Sequence, residues 1–139
     1  MSFTPKEART RIAELRVTAP DLLEIRYDRG IIFSPEAIAE TQAKRRELMG
    51  DRRYATLTII PADVDYAMES MAEDQGRDEK GRSQIIASAV VAGGQMIELL
   101  TRLYLSTFPQ RQMTFITSDE QAAREWLATK LEQEVPKGT

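Results

Sequence analysis

Residues 85–92, Ile-Ile-Ala-Ser-Ala-Val-Val-Ala, run without a charge between the polar tract EDQGRDEKGR at 73–82 and the pair Gly93-Gly94. A small-apolar run this short suits a central strand covered on both faces, as in the parallel sheets whose crossover connections place helices on either side. The chain must therefore provide helices for both faces. Residues 95–108, QMIELLTRLYLSTF, follow at once as a strongly apolar helix.

The flanking segments fit that frame. Tyr54 to Ile60, YATLTII, is rich in β-branched residues and bounded by Pro61, as expected of a buried strand. Met113 to Thr117 gives the last strand, and Thr117-Ser118-Asp119-Glu120 opens a last helix with overlapping capping signals. On that helix Ala123, Trp126, Leu127 and Leu131 share one face. Ser34-Pro35-Glu36 starts an earlier helix that runs to about Met49 and stops at Gly50. Its apolar line of Ala37, Ile38, Leu48 and Met49 is weak against a polar surface with Lys44, Arg45 and Arg46, so it is expected to be peripheral.

Nearer the amino terminus, Ala13, Leu15 and Val17 alternate with polar residues, as do Leu23, Ile25 and Tyr27 after the turn at Ala19-Pro20-Asp21. These predict an antiparallel hairpin. Thr4-Pro5-Lys6-Glu7 has the form of a capping box and predicts a short initial helix, with the break near Arg11. Asp63 to Asp74 is read as a short helix carrying Val64, Met68 and Met71, and Glu73 to Arg82 as a loop. The expected fold class is α/β: a mostly parallel sheet with an amino-terminal antiparallel hairpin at its edge and helical cover. No repeat or linker divides residues 1–139, so one domain is expected.

Composition narrows function by subtraction. Cysteine and histidine are absent, which removes disulfides, thiolate nucleophiles, imidazole bases and nearly all zinc chemistry. A net charge of −3 gives no overall pull toward nucleic acid or an anionic membrane. The longest uncharged stretch, Ser83 to Ile97, has 15 residues, short of the roughly 20 that span a bilayer. The charged start MSFTPKEART lacks the apolar core of a signal peptide, so a cytoplasmic location is expected.

With this order established, the carboxy-terminal half resembles the bacterial STAS/SEC14-like (SpoIIAA-like) domains. The residues that carry the likeness are the strand IIASAVVAG, the helix MIELLTRLYLS, the corner Phe108-Pro109, the strand MTFIT and the terminal SDEQAAREWL. It extends more faintly through LLEIRYDRG and the Ser-Pro-capped helix. The resemblance implies a STAS-like fold and a binding or regulatory module without catalysis. Anti-sigma-factor antagonists of this broad fold carry a phosphorylatable serine at a helix start after a central strand. Here Pro61-Ala62-Asp63-Val64-Asp65-Tyr66 follows the YATLTII strand, and no serine occurs until Ser70.

Four features are candidate sites. Gly93-Gly94 sits where a phosphate cradle would, yet it lacks both the Gly-Lys-Ser/Thr ending and three spaced glycines. It reads as a tight corner, with a weak anion contact at its amides left open. Asp63 and Asp65 form a carboxylate pair better explained by helix capping than by a cation. Lys44, Arg45, Arg46, Arg52 and Arg53 make a basic cluster read as a solvated helix end. The helix from Gln95 is apolar well beyond a single stripe, so something must cover the excess.

Two functions follow as expectations. The first is a non-enzymatic cytoplasmic module acting through protein association, a homodimer or a regulatory partner, with Ile97 and Leu105 at the interface. The alternative is a carrier or sensor of a small apolar or amphipathic molecule lined by Met96, Leu100, Tyr104 and Phe108, with Arg102 or Arg111 on an acidic head group. No metal, cofactor, nucleic acid or membrane partner is expected.

Overall fold

The computed structural model describes residues 5–66, 84–107 and 113–134. In chain order the strands and helices are β1 (Lys6–Arg9), β2 (Ala13–Ala19), β3 (Leu22–Tyr27), β4 (Ile32–Phe33), α1 (Pro35–Met49), β5 (Tyr54–Ile60), β6 (Asp65–Tyr66), β7 (Ile85–Ala92), α2 (Gln95–Thr107), β8 (Met113–Thr117) and α3 (Glu120–Glu134). Six strands form one sheet in the order β1-β2-β3-β5-β7-β8. The pairs β3–β5, β5–β7 and β7–β8 are parallel, and β1–β2 and β2–β3 are antiparallel. The sheet is thus mostly parallel with an antiparallel amino-terminal edge, as the alternation of segments predicts.

Two expectations about local elements are corrected. Residues from Lys6 to Arg9 extend along β2 as a strand, with Lys6 opposite Val17 and Arg9 opposite Glu14. A helix there would have had almost no apolar face to bury, whereas the edge of β2 offers a ladder of backbone hydrogen bonds. Thr10 makes the corner: its Oγ1 accepts from the amides of Ala13 and Ile12 at 3.1 and 3.4 Å. The second correction concerns Asp63 to Asp74. Asp65 and Tyr66 form β6, parallel to β4, with Ile32 opposite Asp65 and Phe33 opposite Tyr66. Residues 67–74 of that expected helix and the loop expected over 73–82 lie outside the described residues.

Helix α1 starts and stops where its capping residues dictate. Ser34 Oγ accepts from the Ala37 amide at 3.2 Å, and Gly50, at φ +60°, donates its amide to the Arg46 carbonyl at 2.9 Å. The helix is not peripheral: Ala37, Ile38, Thr41, Arg45 and Met49 are buried. Its apolar stripe looks weak because two buried positions are polar and hydrogen-bonded. Thr41 Oγ1 donates to the Ala37 carbonyl and lies 3.1 Å from Thr10 Oγ1. Arg45 is treated below.

The two faces of the sheet are packed differently. On one, Ala55 and Leu57 of β5 and Ala87, Ala89 and Val91 of β7 meet Ala123 and Leu127 of α3. The small strand residues let α3 sit close, and Phe115 stacks on Trp126 with centroids 5.4 Å apart. Arg124 pins the helix to β3, its two terminal nitrogens reaching both carboxylate oxygens of Glu24 at 3.0 and 3.1 Å. On the other face, Leu15, Val17, Leu23 and Ile25 form a core with α1, and Ile97 of α2 joins Ile60, Val64 and Ala92 in the same cluster.

Gly93 turns β7 into α2 against the chain leaving β5. Its amide donates to the Ile60 carbonyl at 2.8 Å, and a Cβ there would lie 2.8 Å from the Ala62 nitrogen and 3.0 Å from the Ile60 carbonyl oxygen. At Gly94 a Cβ would meet the Ala62 side chain at 3.1 Å. The close approach of backbone explains the first glycine. Gly93→Ala is expected to lower stability by roughly 1–3 kcal/mol in urea unfolding, and Gly94→Ala by less. Equal costs would show that this contact does not set the corner.

Candidate functional site

The period-2 alternation of β5 puts Tyr54, Thr56, Thr58 and Ile60 on the face away from α3. Ser88 and Val90 of β7 and Thr114 of β8 line up beside them, since Thr56 pairs with Ser88, Thr58 with Val90, and Ser88 with Thr114. This face is a row of hydroxyls where a core would have methyls. Helices α1 and α2 both flank it, and residues of both line a cavity of about 230 Å³ over this row.

One wall is Ile38, Gln42 and Arg45, which share a face of α1. The other is Thr101, Tyr104 and Leu105 of α2. Tyr27, Phe33 and Tyr66 close an aromatic end, with Phe33 4.6 Å from the Tyr27 ring edge-on and 4.8 Å from the Tyr66 ring. Local hydrogen bonds fix the polar lining. Thr56 Oγ1 and Ser88 Oγ are 2.7 Å apart, and Thr101 Oγ1 donates to the Ile97 carbonyl at 2.7 Å.

Arg45 is the one charged side chain among the described lining residues, and only 5% of it is exposed. Its Nη1 donates to the Tyr54 hydroxyl and its Nε to Gln42 Oε1 at 2.7 Å. Burial pushes the Tyr27 phenol far above its ordinary range, Tyr66 adds to the shift, and the positive charge of Arg45 opposes it. Burial also raises the Tyr66 phenol, partly offset by a hydrogen bond with Thr101. Both phenols are neutral hydrogen-bonding groups near pH 7.

The sequence-predicted residues divide. Tyr104 and Leu105 line this cavity, so Leu105 faces inward where an interface position was expected. Ile97, also expected at an interface, is 1% exposed and is taken up by the core. Met96 is 65% exposed and points outside, Leu100 is half-buried away from the lining, and exposed Arg102 lies 3.7 Å from Glu98. Phe108 and Arg111 lie outside the described residues. Arg45 was hidden inside a basic cluster read as solvated, and Tyr27, Thr56, Thr58, Tyr66 and Ser88 carried no separate signal. Alternate threonines in YATLTII were the available clue, since a strand covered on both faces would otherwise be apolar on both.

The remaining candidates have structural work. Arg52 donates to the Leu48 and Met49 carbonyls at 3.0 and 3.2 Å, closing the end of α1. Asp63 lies 3.2 Å from Arg29 Nε, and the Gly30 amide, more than that arginine, holds its carboxyl below the usual range. Asp65 accepts from the Tyr66 amide at 3.0 Å. Among the described residues no cluster of three metal-ligating side chains occurs, and no helix is long and apolar enough to cross a membrane.

Sheet order, antiparallel edge and helix placement define a SpoIIAA-like α/β fold. The chain is similar to an uncharacterised protein of the DUF3478 family with a SpoIIAA-like fold from Shewanella loihica PV-4, with a TM-score of 0.54, 12% identity, and coverage of 89% of this chain and 92% of that one. Residues 17–131 match the family of the domain of unknown function DUF7793, and the chain belongs to that family. No curated protein matches it.

The Tyr27 shift sets a pH dependence. With the folded pKa raised above the unfolded value of 10.0, the contribution is fully present below pH 10 and is lost as the unfolded phenol ionises above it. Stability should fall as pH rises past about 10, and Tyr27→Phe should flatten that fall in urea midpoints measured across the range. An unchanged slope would place the alkaline loss elsewhere.

Proposed function

We propose that the protein is a non-enzymatic binding module whose ligand, a small amphipathic molecule, occupies the cavity between α1 and α2. The observation that carries this reading is the lining itself, polar along the strands and apolar at the aromatic end, with one fixed cation, Arg45, among the described lining residues. Small-molecule sites are concave and mostly apolar with a few placed polar groups. Acid–base catalysis near neutral pH needs a group whose pKa lies near the operating pH. The Tyr27 and Tyr66 phenols are both shifted up and away from that range, which favours binding without chemistry.

Native mass spectrometry of the protein as purified should show a small adduct that is lost on denaturation. Thr58→Phe, which fills the cavity from a half-buried floor position, should abolish the adduct while far-UV circular dichroism stays unchanged. An adduct that survives in this variant would move the ligand out of the cavity.

A second reading, association with a second copy or a regulatory partner, is favoured by the outer face of α2. Met96, Leu99 and Leu103 lie along it at 65%, 63% and 55% exposure, and Met113 at the start of β8 is 56% exposed. A homodimer would use this stripe as a self-complementary patch. Leu103→Asp should then convert a dimer to a monomer in sedimentation velocity; a wild-type monomer at high concentration would end the homodimer reading.

A further inference from the structure

Resting on the cavity reading above, we infer that the ligand is an uncharged molecule recognised through a hydrogen-bond acceptor of carbonyl type, which takes up donors that the cavity wall leaves unused. Among the described residues, three polar groups of the lining have no hydrogen-bond partner: the Tyr27 hydroxyl, the Thr58 hydroxyl and the side-chain nitrogen of Gln42. The other polar groups of the lining are engaged. Thr56 Oγ1 is paired with Ser88 Oγ, and Thr101 with the Ile97 carbonyl and with Tyr66. Arg45 is held by the protein, with the Tyr54 hydroxyl and Gln42 Oε1 among its contacts.

The three open groups face the same space. In the pairing of β3 with β5, Ile25 lies opposite Thr58, so Tyr27, two residues on and on the same face, is the diagonal neighbour of Thr58. Tyr27 is half-buried as a residue, yet burial dominates at its phenol, and the groups that act on it there through charge are Tyr66 and Arg45, both in the lining. Gln42, from the α1 wall, is bonded to that same arginine.

What these groups can do sets the chemistry of the ligand. The Gln42 oxygen accepts from Arg45 Nε at 2.7 Å, which leaves its nitrogen as a donor only. The two hydroxyls donate or accept. An acceptor on the ligand is therefore the one group that all three can serve. Charge of either sign is disfavoured. The described lining offers no carboxylate to a cation, and its one cation already holds protein partners, so an ion would leave water without a free counter-charge. In solution water meets the open donors, and a ligand that displaces it keeps affinity only by replacing those hydrogen bonds. An apolar molecule of the same shape does not replace them.

At the ~30 Å³ that a water-sized group takes in a liquid, about 230 Å³ accommodates roughly eight such groups, which sets the size of the probe. Isotope-labelled protein is titrated with acetophenone, with α-methylstyrene, in which a methylene replaces the carbonyl oxygen, and with the ions benzoate and benzylammonium, following backbone amide shifts. Acetophenone should perturb amides of β3, β5, β7, α1 and α2 around the cavity, and both ions should bind at least about 10-fold more weakly. Tyr27→Phe and Thr58→Val each remove one open hydroxyl and little volume. In at least one of them the affinity for acetophenone should fall roughly 3- to 10-fold while that for α-methylstyrene holds or rises. A ratio of ketone to hydrocarbon affinity unchanged in both variants would overturn recognition through these donors. Either ion binding as tightly as the ketone would overturn the uncharged class, and both of these results leave the cavity reading standing. No cavity response to any of the four compounds would also overturn this inference, and the native-mass adduct would then judge the broader reading separately.

Discussion

The structure depends on the opposite chemistry of the two faces of β5 and β7. On the α3 side the strands present Ala55, Leu57, Ala87, Ala89 and Val91, and α3 answers with Ala123 and Leu127. Small side chains allow close, dry packing on this face, where burial and dispersion hold α3 to the sheet. On the other side the same strands present Thr56, Thr58 and Ser88. A helix laid dry on that row would strip hydroxyls of water for partial compensation at best. A cavity lined by residues of both covering helices lies over that row instead. The parity of two strands thus decides which face is solid and which is hollow.

Arg45 and Tyr54 hold the hollow side open on the α1 flank. A buried guanidinium is stable only with acceptors around it, and the Tyr54 hydroxyl and Gln42 are supplied by the strand below and the preceding helical turn. Tyr54 is itself 1% exposed, so its ring supports α1 while its hydroxyl engages the arginine. This explains how a helix with a weak apolar stripe remains docked: Thr41 and Arg45 occupy buried positions through hydrogen bonds, and Ala37, Ile38 and Met49 supply the apolar contact. A charge buried in this way is costly for folding unless its hydrogen bonds are supplied, and here a tyrosine and a glutamine supply them.

Much of the fold was legible because its signals are local. Alternation in Ala13–Val17 and Leu23–Tyr27, the β-branched run Tyr54–Ile60, the uncharged run Ile85–Ala92 and the caps at Ser34 and Asp119 are each written within a few residues. The corner at Gly93 was legible as a turn, though the backbone of Pro61 and Ala62 that makes the glycine necessary comes from another part of the chain. Misreadings fell where distant partners decide. Thr4-Pro5-Lys6-Glu7 looks like a helix start, but the free edge of β2 is a non-local fact. Asp65-Tyr66 pairs with Ile32-Phe33, again a contact without a local signature. Arg45 resembled its solvated neighbours because burial of a charged side chain depends on a tyrosine and a glutamine meeting it in three dimensions.

Helix α2 carries the clearest conflict between pattern and placement. Its inner face buries Ile97 and a threonine, Thr101, and presents Tyr104 and Leu105 to the cavity. Its outer face leaves Met96, Leu99 and Leu103 exposed. A sequence evolved only to pack this helix on the sheet would place the larger apolar residues inward, since full burial of each is worth about 1.5–3 kcal/mol. The inward threonine makes sense beside a polar floor, where its hydroxyl is satisfied by the Ile97 carbonyl. The two faces lie on one rigid element of 13 residues, so Leu105 at the cavity and Leu103 outside are within a single turn. Because both faces belong to one short helix, any shift of α2 at its cavity face displaces the outer stripe with it, so the two surfaces are mechanically coupled.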